Sequence, residues 1–238
     1  MSGGPGRRRR GLVIAIDGPS GAGKSTAGRA LADRLGYTFL DTGAMYRALA
    51  LKALRAGIPQ DREQPLAQLA HEARIEQMPE RRVLLDGEDV TEAIRTPEVS
   101  AASSRISTHA LVRREMAARQ REMGRDGGVV LDGRDIGTAV FPDAEVKFYV
   151  DADPRRRAER RQQELTAAGA DLDVDTIELA IRARDEADTT RQQSPLTRAP
   201  DAIHIDTTEL DRNEVVEQMA AAVRRAASRT PPPLHGRG

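Results

Sequence analysis

Residues 18–26 read Gly18-Pro19-Ser20-Gly21-Ala22-Gly23-Lys24-Ser25-Thr26, and they match the phosphate-loop pattern G-x-x-x-x-G-K-[ST] at every position. The apolar, β-branched run 12–16 before them predicts a buried parallel strand, and the apolar spacing over 26–35 predicts a helix after them. The motif needs this context, because backbone N–H groups of the turn and the helix N-terminus then converge on a phosphate. The stretch therefore predicts an α/β fold with a nucleoside triphosphate site.

The motif assigns a candidate role to each of its residues. All nine are expected to form an ATP-binding loop. Lys24 is expected to reach the β- and γ-phosphates, and the Ser25 hydroxyl is expected to ligate Mg²⁺. The alternative, a chance glycine turn between a strand and a helix, is disfavoured by the full match in the right context.

The composition narrows the class of protein. The chain has 238 residues, of which 39% are hydrophobic and 3% aromatic, and its formal net charge is zero. Zero net charge and few aromatic residues argue against nucleic acid as a partner. The sequence contains no Cys, which excludes disulfides and thiolate chemistry, and no apolar stretch approaches a membrane span. We therefore expect a cytoplasmic protein that binds neither nucleic acid nor membrane.

Strand and helix patterns alternate along most of the chain. Strands are predicted at 12–16, 37–41, 129–132, 145–150 and 202–206, and helices at 26–35, 44–56, from Pro154 onward, 176–191 and 210–227. This alternation predicts a parallel five-stranded sheet with helices on both faces. Residues 62–95 interrupt this alternation of strands and helices, because short polar strands at 74–78 and 82–85 are followed by a turn at Asp86-Gly87. They predict an insert that contains a hairpin.

Two polar clusters follow predicted strands, at the positions where open α/β sheets bind ligands. After the second strand, Thr42 is expected to cap the next helix and Arg47 to point back at an anion. An ordinary cap with a surface Arg is the alternative. At the end of strand 129–132, Asp132 is expected to hold Mg²⁺ through water, with Arg134 and Asp135 projecting into the cleft. A charged turn is the alternative there.

Two further clusters lie on predicted helices. Arg184, Asp188 and Arg191 share one helix face, and the order of Arg184 and Asp188 is opposite to that of a stabilising ion pair, which favours a ligand stripe over a surface pair. Five arginines crowd the start of the helix after Pro154: Arg155, Arg156, Arg157, Arg160 and Arg161. Because cations repel one another and oppose the helix dipole there, they indicate a bound polyphosphate. A solvated surface helix is the alternative.

Taken in order, these stretches resemble the bacterial-type cytidylate kinase, or (d)CMP kinase, family. The resemblance is carried by IDGPSGAGKST (16–26), LDTGAMYR (40–47), DGEDVTEAIRTPEVS (86–100), LDGRDIGTAVFPDAEVK (131–147), RAERR (157–161) and RDEADTTR (184–191). It implies a three-layer P-loop kinase domain over 11–228, with a nucleoside-monophosphate-binding insert at about 42–125 and a short lid at about 153–172. Residues 1–10 and 229–238 are expected to be a disordered arm and tail.

The resemblance also implies an activity and the residues that carry it. The activity is reversible, ATP-dependent phosphorylation of CMP and dCMP in pyrimidine nucleotide metabolism, with Mg²⁺, by a monomeric enzyme. The candidate catalytic residues are Lys24, from the phosphate-loop motif, Asp132, from its position at a strand end, and, from the resemblance, Arg134, Arg157 and Arg161. The implied CMP-site residues are Thr42, Tyr46, Arg47, Ser104, Arg113, Arg134, Asp135, Arg184, Asp188 and Arg191. The family often has Ser where this chain has Thr42, and the hydroxyl is retained.

Within that set, Ser104, Arg113 and Asp135 are implied to read the base. Their chemistry suits cytosine, because a carboxylate or hydroxyl accepts from the N4 amino group while Arg113 donates to N3 and O2. Uracil reverses the polarity at N3 and at position 4, so it would leave buried polar groups unpaired. These residues therefore predict a preference for CMP and dCMP over UMP.

Three other functions fit the phosphate loop less well. Another small-molecule kinase, such as a shikimate-type enzyme, is disfavoured by the insert and by the implied base readers. A GTP-dependent switch needs a guanine-reading N-K-x-D element, which the sequence lacks. A nucleic-acid-dependent ATPase would use the basic arm, but the neutral charge and scarce aromatic residues disfavour it.

Overall fold

The computed structural model describes residues 11–167, 169 and 172–229. The strands are β1 (Val13–Asp17), β2 (Thr38–Asp41), β3 (Ile75–Gln77), β4 (Val83–Leu85), β5 (Glu88–Asp89), β6 (Val129–Gly133), β7 (Val146–Asp151) and β8 (Ile203–Asp206). The α-helices are α1 (Lys24–Leu35), α2 (Thr42–Arg55), α3 (Glu63–Glu72), α4 (Pro97–Ile106), α5 (Ala110–Gly124), α6 (Pro154–Ala167), α7 (Val174–Thr190) and α8 (Arg212–Arg229).

The main sheet has five parallel strands in the order β2-β6-β1-β7-β8. Every residue of β1 is buried, as expected for a central strand that is covered on both faces. The register pairs Asp17 with Gly133 and Asp41 with Asp132. The carboxyl ends of three neighbouring strands therefore meet at one edge, where this class of sheet binds ligands.

Helices bury both faces of this sheet. On one face, α1 and α8 cover a cluster that includes Ile14, Ile16 and Phe148. On the other face, Val13, Ala15, Leu131, Ile136 and Val140 pack with the partly buried Phe141. Burying a side chain the size of Phe148 stabilises the fold by about 1.5–3 kcal/mol. The predicted α/β class, with five parallel strands and helices on both faces, is confirmed.

A second, antiparallel sheet of β3, β4 and β5 forms within the predicted insert. It packs with α2, α3, α4 and α5 around its own apolar cluster. Gln77 joins this sheet to the main one, because its side chain accepts from the backbone N–H of Asp41 and donates to the Asp41 carbonyl, both at 2.8 Å. The hairpin predicted over 74–87 is confirmed. The division into core, insert and lid stays a prediction.

Sequence periodicity did not predict α3, α4 and α5. The buried face of α5 shows why: its members, spaced as on a helix, are Val112, Arg113, Met116, Gln120 and Gly124. Because two of these are polar and one has no side chain, the apolar pattern is interrupted although the face is buried. A buried Arg on a helix also indicates that the helix borders a polar site.

Some sequence predictions fall outside the described residues. The predicted arm (1–10) lies outside them, as does the predicted tail (229–238) apart from residue 229. Among the described residues, no helix is both long and apolar enough to cross a membrane.

Candidate active site

The phosphate loop lies between β1 and α1 and depends on its glycines. Gly21 and Gly23 have φ values of 79° and 85°, in the left-handed region that side chains disfavour. Gly18 approaches the next strand so closely that a Cβ atom there would lie 1.9 Å from the carbonyl oxygen of Val150. A glycine-rich turn that leads directly into the N-terminus of α1 is the backbone arrangement that an anion site requires.

Lys24 is the first residue of α1 and is buried beside the loop. Its Nζ donates to the carbonyl oxygen of Pro19 at 2.5 Å. Burial lowers the pKa of Lys24, and the nearby Arg134 lowers it further, while Asp132 and Asp17 act in the opposite direction. A polyphosphate beside this amine would supply the negative charge that favours its protonated form.

Asp132 lies at the end of β6, facing the phosphate loop. The Ser25 hydroxyl donates to its Oδ2 atom, and its Oδ1 atom is buried without a hydrogen-bond partner. Burial and the neighbouring Asp41 raise the pKa of Asp132. A buried carboxylate oxygen and a hydroxyl are ligands that Mg²⁺ prefers, so these two residues fit the expected ion.

No cluster of three or more His, Asp or Glu side chains within the described ranges could hold a metal ion without further ligands. A Mg²⁺ ion at Ser25 and Asp132 would therefore take its remaining ligands from nucleotide phosphates and water, as is usual for this ion.

The start of α2 differs from the prediction. Asp41 is the N-cap, and its Oδ1 accepts from the backbone N–H of Ala44 at 2.7 Å. The prediction that Thr42 caps the helix is wrong, because the Thr42 hydroxyl donates to the carbonyl oxygen of Asp132 at 2.6 Å and so ties α2 to β6. The other Asp41 oxygen accepts from Arg47 at 3.3 Å. Arg47 therefore points back toward the strand ends, and its binding of an anion stays a prediction.

Asp17, at the end of β1, is a site residue that the sequence reasoning missed. Its two carboxylate oxygens accept from the backbone N–H groups of Ile136 and Gly137 at 2.8 and 2.7 Å. These bonds fix the segment that follows Asp135 to the central strand. Burial, despite both N–H donors, raises the pKa of Asp17 from 3.8 to about 6.

This raised pKa makes a prediction for stability. Between pH 3.8 and about 6, folded Asp17 holds a proton that the unfolded chain has lost, so its contribution to stability falls as the pH rises. In urea unfolding, we subtract the free energy of unfolding of Asp17→Asn from that of the wild type. This difference should fall by about 2 kcal/mol from about pH 4 to about pH 7. Asp33→Asn, on the exposed side of α1, is the matched control. A difference that is flat across this range would contradict the prediction.

Arg113 and Asp135 form a buried pair where α5 faces the end of β6. Arg113 Nη2 donates to Asp135 Oδ2, its Nη1 donates to the Ser107 carbonyl at 3.1 Å, and its guanidinium lies 5.9 Å from the ring centroid of Tyr46. The Arg113 Nε atom is buried without a partner. Ser104 also lines the cleft, and its hydroxyl donates to the Ser100 carbonyl at 3.2 Å. Two of the predicted base readers, Arg113 and Asp135, are thus brought together and present both a donor and an acceptor.

The predicted stripe faces the cleft, with Arg184 and Asp188 on α7 and Arg191 directly after its last residue. Asp188 accepts from Arg134 at 2.7 Å, and Arg191 lies 3.8 Å from Asp188 and 4.0 Å from Asp135. Although burial raises the pKa of Asp188, Arg134 holds it below its ordinary value. Arg184 forms no pair with Asp188 in this arrangement: its Nε atom is buried without a partner, and burial and Arg134 lower its pKa to about 10. Such a cation favours a bound anion.

The crowded arginines at the start of α6 do not require a bound anion. Arg155 pairs with Asp175 and Glu178, and Arg156 and Arg161 each pair with a Glu one turn along α6. The expected repulsion is compensated, because acidic residues of α6 and α7 face the same cations. Crowding alone therefore does not indicate a polyphosphate, and binding of one by these arginines stays a prediction. Arg157 and Arg160 are occupied by backbone and side-chain acceptors of the core.

One open cleft of about 1490 Å³ collects most of the predicted residues. Those that line it are Ser20, Gly21, Ala22, Gly23, Lys24, Ser25, Thr26, Thr42, Tyr46, Arg47, Ser104, Arg113, Asp132, Arg134, Asp135, Arg161, Arg184, Asp188 and Arg191. Gly18, Pro19 and Arg157 are not in its lining. The cleft thus runs from the phosphate loop to the Arg113–Asp135 pair.

Sequence reasoning also missed Asp41 as the helix cap, Asp185 and Thr207. The capping role of Asp41 could have been predicted, since Asp is a favoured N-cap residue directly before a helical pattern. Asp185 contacts Arg157, which lies 28 positions earlier in the chain. Thr207 contacts Ala22, which lies 185 positions earlier. No local pattern could have indicated those contacts.

Comparison with known proteins places these features in one family. The family model described as "Cytidylate kinase" matches residues 14–225. The chain is 50% identical over 226 residues to the cytidylate kinase of Geobacter sulfurreducens, covering 94% of this chain and 97% of that protein. It is 52% identical over 217 residues to the cytidylate kinase of Syntrophotalea carbinolica, covering 90% and 92%.

Among solved structures, an uncharacterized protein from Eubacterium ventriosum shares the fold, with a TM-score of 0.50 at 11% identity, covering 90% of this chain and 98% of that one. The family match over most of the sequence and the high identity to both curated relatives agree with the geometry of the cleft. This chain belongs to the cytidylate kinase family.

Proposed function

We infer that the chain is a kinase that transfers the γ-phosphoryl group of ATP reversibly to the α-phosphate of CMP or dCMP. One observation carries this inference: a phosphate loop and a buried Arg113–Asp135 pair lie in the same cleft, with a group of arginines between them. The family relationship supports the same reaction.

We propose that the phosphate loop binds the donor. Backbone N–H groups of residues 20–26 would surround the phosphates, and Lys24 would exchange the Pro19 carbonyl for β- and γ-phosphate oxygens. Ser25 and Asp132 would hold Mg²⁺, which when bound neutralises charge on the β- and γ-phosphates. The partnerless Oδ1 atom of Asp132 supports this assignment.

The other half of the cleft would bind the acceptor. Arg113 would donate to N3 and O2 of cytosine, and Asp135 and Ser104 would accept from the N4 amino group. Asp188 and Arg184 would hold the ribose. The acceptor phosphate would lie among the remaining cations and the α2 side chains, namely Arg47, Arg134, Arg191, Thr42 and Tyr46. The buried, partnerless guanidinium nitrogens of Arg113, Arg184 and Arg191 support this assignment.

The reaction requires positioning and charge neutralisation more than proton transfer. The attacking group is an oxygen of the acceptor phosphate, which is already anionic, so no strong general base is needed. Charge that spreads over the equatorial oxygens of the transferred group would be stabilised by Lys24, Arg134 and Arg161. We propose that the insert and the lid close over both nucleotides and exclude water, which would otherwise compete as acceptor.

We further propose that the enzyme acts as a cytoplasmic monomer, as the resemblance to the family implies. Gel filtration with light scattering tests the oligomeric state directly, and a dimer at catalytic concentrations would contradict it.

A coupled assay of ADP release tests the proposed reaction. The rate of ADP release by the purified protein with Mg-ATP is measured with CMP, dCMP, UMP or AMP as acceptor and with no acceptor. We expect rapid turnover with CMP and dCMP, and turnover lower by about a hundredfold or more with UMP, because a site built on paired polar groups rejects a base of reversed polarity. Equal turnover without an acceptor would mean an ATPase and would overturn the proposal.

A further inference from the structure

Arg157 connects three segments of the fold although it does not line the cleft. Its Nε donates to the Ala152 carbonyl at 2.9 Å, its Nη1 donates to the Ser20 carbonyl at 3.1 Å, and its Nη2 lies 2.7 Å from Asp185 Oδ2. The residue is only 2% exposed. One guanidinium therefore links the end of β7, the phosphate loop and α7.

The contact with the phosphate loop is close as well as polar. A Cβ atom built on Gly21 would lie 3.3 Å from Cβ of Arg157, so the aliphatic part of Arg157 packs directly under the loop. The glycine at this position serves the packing of α6 as well as the positive φ of the turn.

A second anchor acts on the loop two peptides further on. The Thr207 hydroxyl lies 3.1 Å from the Ala22 carbonyl, and Arg160 donates to the same hydroxyl at 3.1 Å. In a planar trans peptide the C=O and N–H bonds point in opposite directions. Holding the carbonyls of Ser20 and Ala22 on Arg157 and Thr207 therefore turns the N–H groups of the next residues, Gly21 and Gly23, away from these anchors.

Asp185 brings the helix of the proposed acceptor site into this arrangement. It lies on α7 beside Arg184 and one turn from Asp188, and its Oδ1 atom is buried without a partner. Arg157 is its ion-pair partner, and only 22% of the Asp185 side chain is exposed. A displacement of α7 would be transmitted to the phosphate loop through one guanidinium.

We propose that Arg157 and Asp185 are positioning residues that hold the phosphate loop in its anion-binding conformation, so that ATP affinity depends on a residue of α7. This assignment replaces the catalytic role expected for Arg157. It depends on the proposed function only in that ATP occupies the phosphate loop.

Equilibrium binding of a non-hydrolysable ATP analogue, without CMP, tests the proposal in the full-length chain. Asp185→Asn and Arg157→Met should each raise the Kd of the analogue by about tenfold, which corresponds to about 1.4 kcal/mol. The double variant should bind no more weakly than either single variant, because both substitutions remove the same link. In steady-state assays the KM for ATP should rise, while the KM for CMP stays within about twofold.

Asp175→Asn is the matched control. It removes another ion pair between α6 and α7, Arg155–Asp175, which is exposed and does not contact the phosphate loop. The control should leave the Kd of the analogue unchanged.

Additive effects of the two substitutions, or a loss confined to kcat with an unchanged Kd, would overturn the proposal and return Arg157 to a catalytic role. If either variant fails to fold by circular dichroism, Arg157→Lys decides, because it keeps the charge beside Asp185 but cannot bridge three acceptors. An unchanged Kd in that variant would also overturn the proposal. A wild type that binds the analogue but does not phosphorylate CMP would contradict the proposed function alone.

Discussion

Lys24→Met should lower kcat by about a thousandfold, because removing one preorganised donor from a charged transition state costs about 10²–10³ and Lys24 also contributes a full charge. Its amine is buried at the start of α1, beside the loop that would hold the phosphates. The expected change lies mainly in kcat, because charge on the transferred group is largest in the transition state. The KM for CMP should change little, since Lys24 lies at the donor end of the cleft.

Quench-flow or steady-state assays at saturating ATP and CMP measure this effect. Lys52→Met is the matched control, because Lys52 lies on α2 and pairs with Asp86 of the insert, outside the proposed site. The control should retain the wild-type kcat within about twofold, as expected for a surface pair. A Lys24→Met enzyme with more than about a tenth of wild-type kcat would contradict the assignment of Lys24 to the phosphates.

Asp135→Ala should reduce the preference for CMP over UMP by about a hundredfold or more, because discrimination by a buried hydrogen-bonding group reaches 10⁴–10⁵. The kcat/KM for CMP should fall most, since Asp135 is the proposed acceptor for the N4 amino group. Arg113 would lose its partner in the same variant, which leaves a buried guanidinium uncompensated and weakens its hold on the base. The kcat/KM for UMP should fall less, because UMP gains nothing from that carboxylate.

Competition between CMP and UMP in one reaction measures the ratio directly. Glu88→Gln is the control, because it breaks an arginine–carboxylate pair with Arg55 in the exposed part of the insert. Thermal unfolding of each variant separates loss of fold from loss of selectivity. An unchanged CMP/UMP ratio in folded Asp135→Ala would show that another residue reads the base.

The features that were predictable from sequence are those with local causes. The phosphate loop could be predicted because the turn between a buried strand and a helix requires glycines with unusual backbone conformations. Gly18, Gly21 and Gly23 occupy these positions. The three inner strands, β6, β1 and β7, could be predicted because a parallel strand that is covered on both faces is mostly a short apolar run. The edge strands β2 and β8 carry polar, exposed residues, and only their place in the alternation with helices indicated them. The places where the predicted strands end then identified Asp132 and Arg134 before any contact was known.

Prediction from sequence was less reliable where one local pattern is compatible with two different structures. Asp41 and Thr42 are both good capping residues, and the choice between them depends on the Asp132 carbonyl, which engages the Thr42 hydroxyl. The arginines of α6 look repulsive in sequence because the acids that compensate Arg155 lie on α7, about twenty residues further along the chain. The helix α5 was missed because its buried side includes Arg113 and Gln120.

Patterns within short stretches of the sequence were therefore enough to predict the α/β class, the phosphate loop and the strand ends that carry the polar clusters. It could not establish the contacts that hold those clusters in place. Asp17 reaches backbone N–H groups more than a hundred residues away, and Arg157 joins the phosphate loop to Asp185. Such contacts join residues that are far apart in sequence, so no local pattern encodes them. They form only when the folded sheet brings distant segments to one edge.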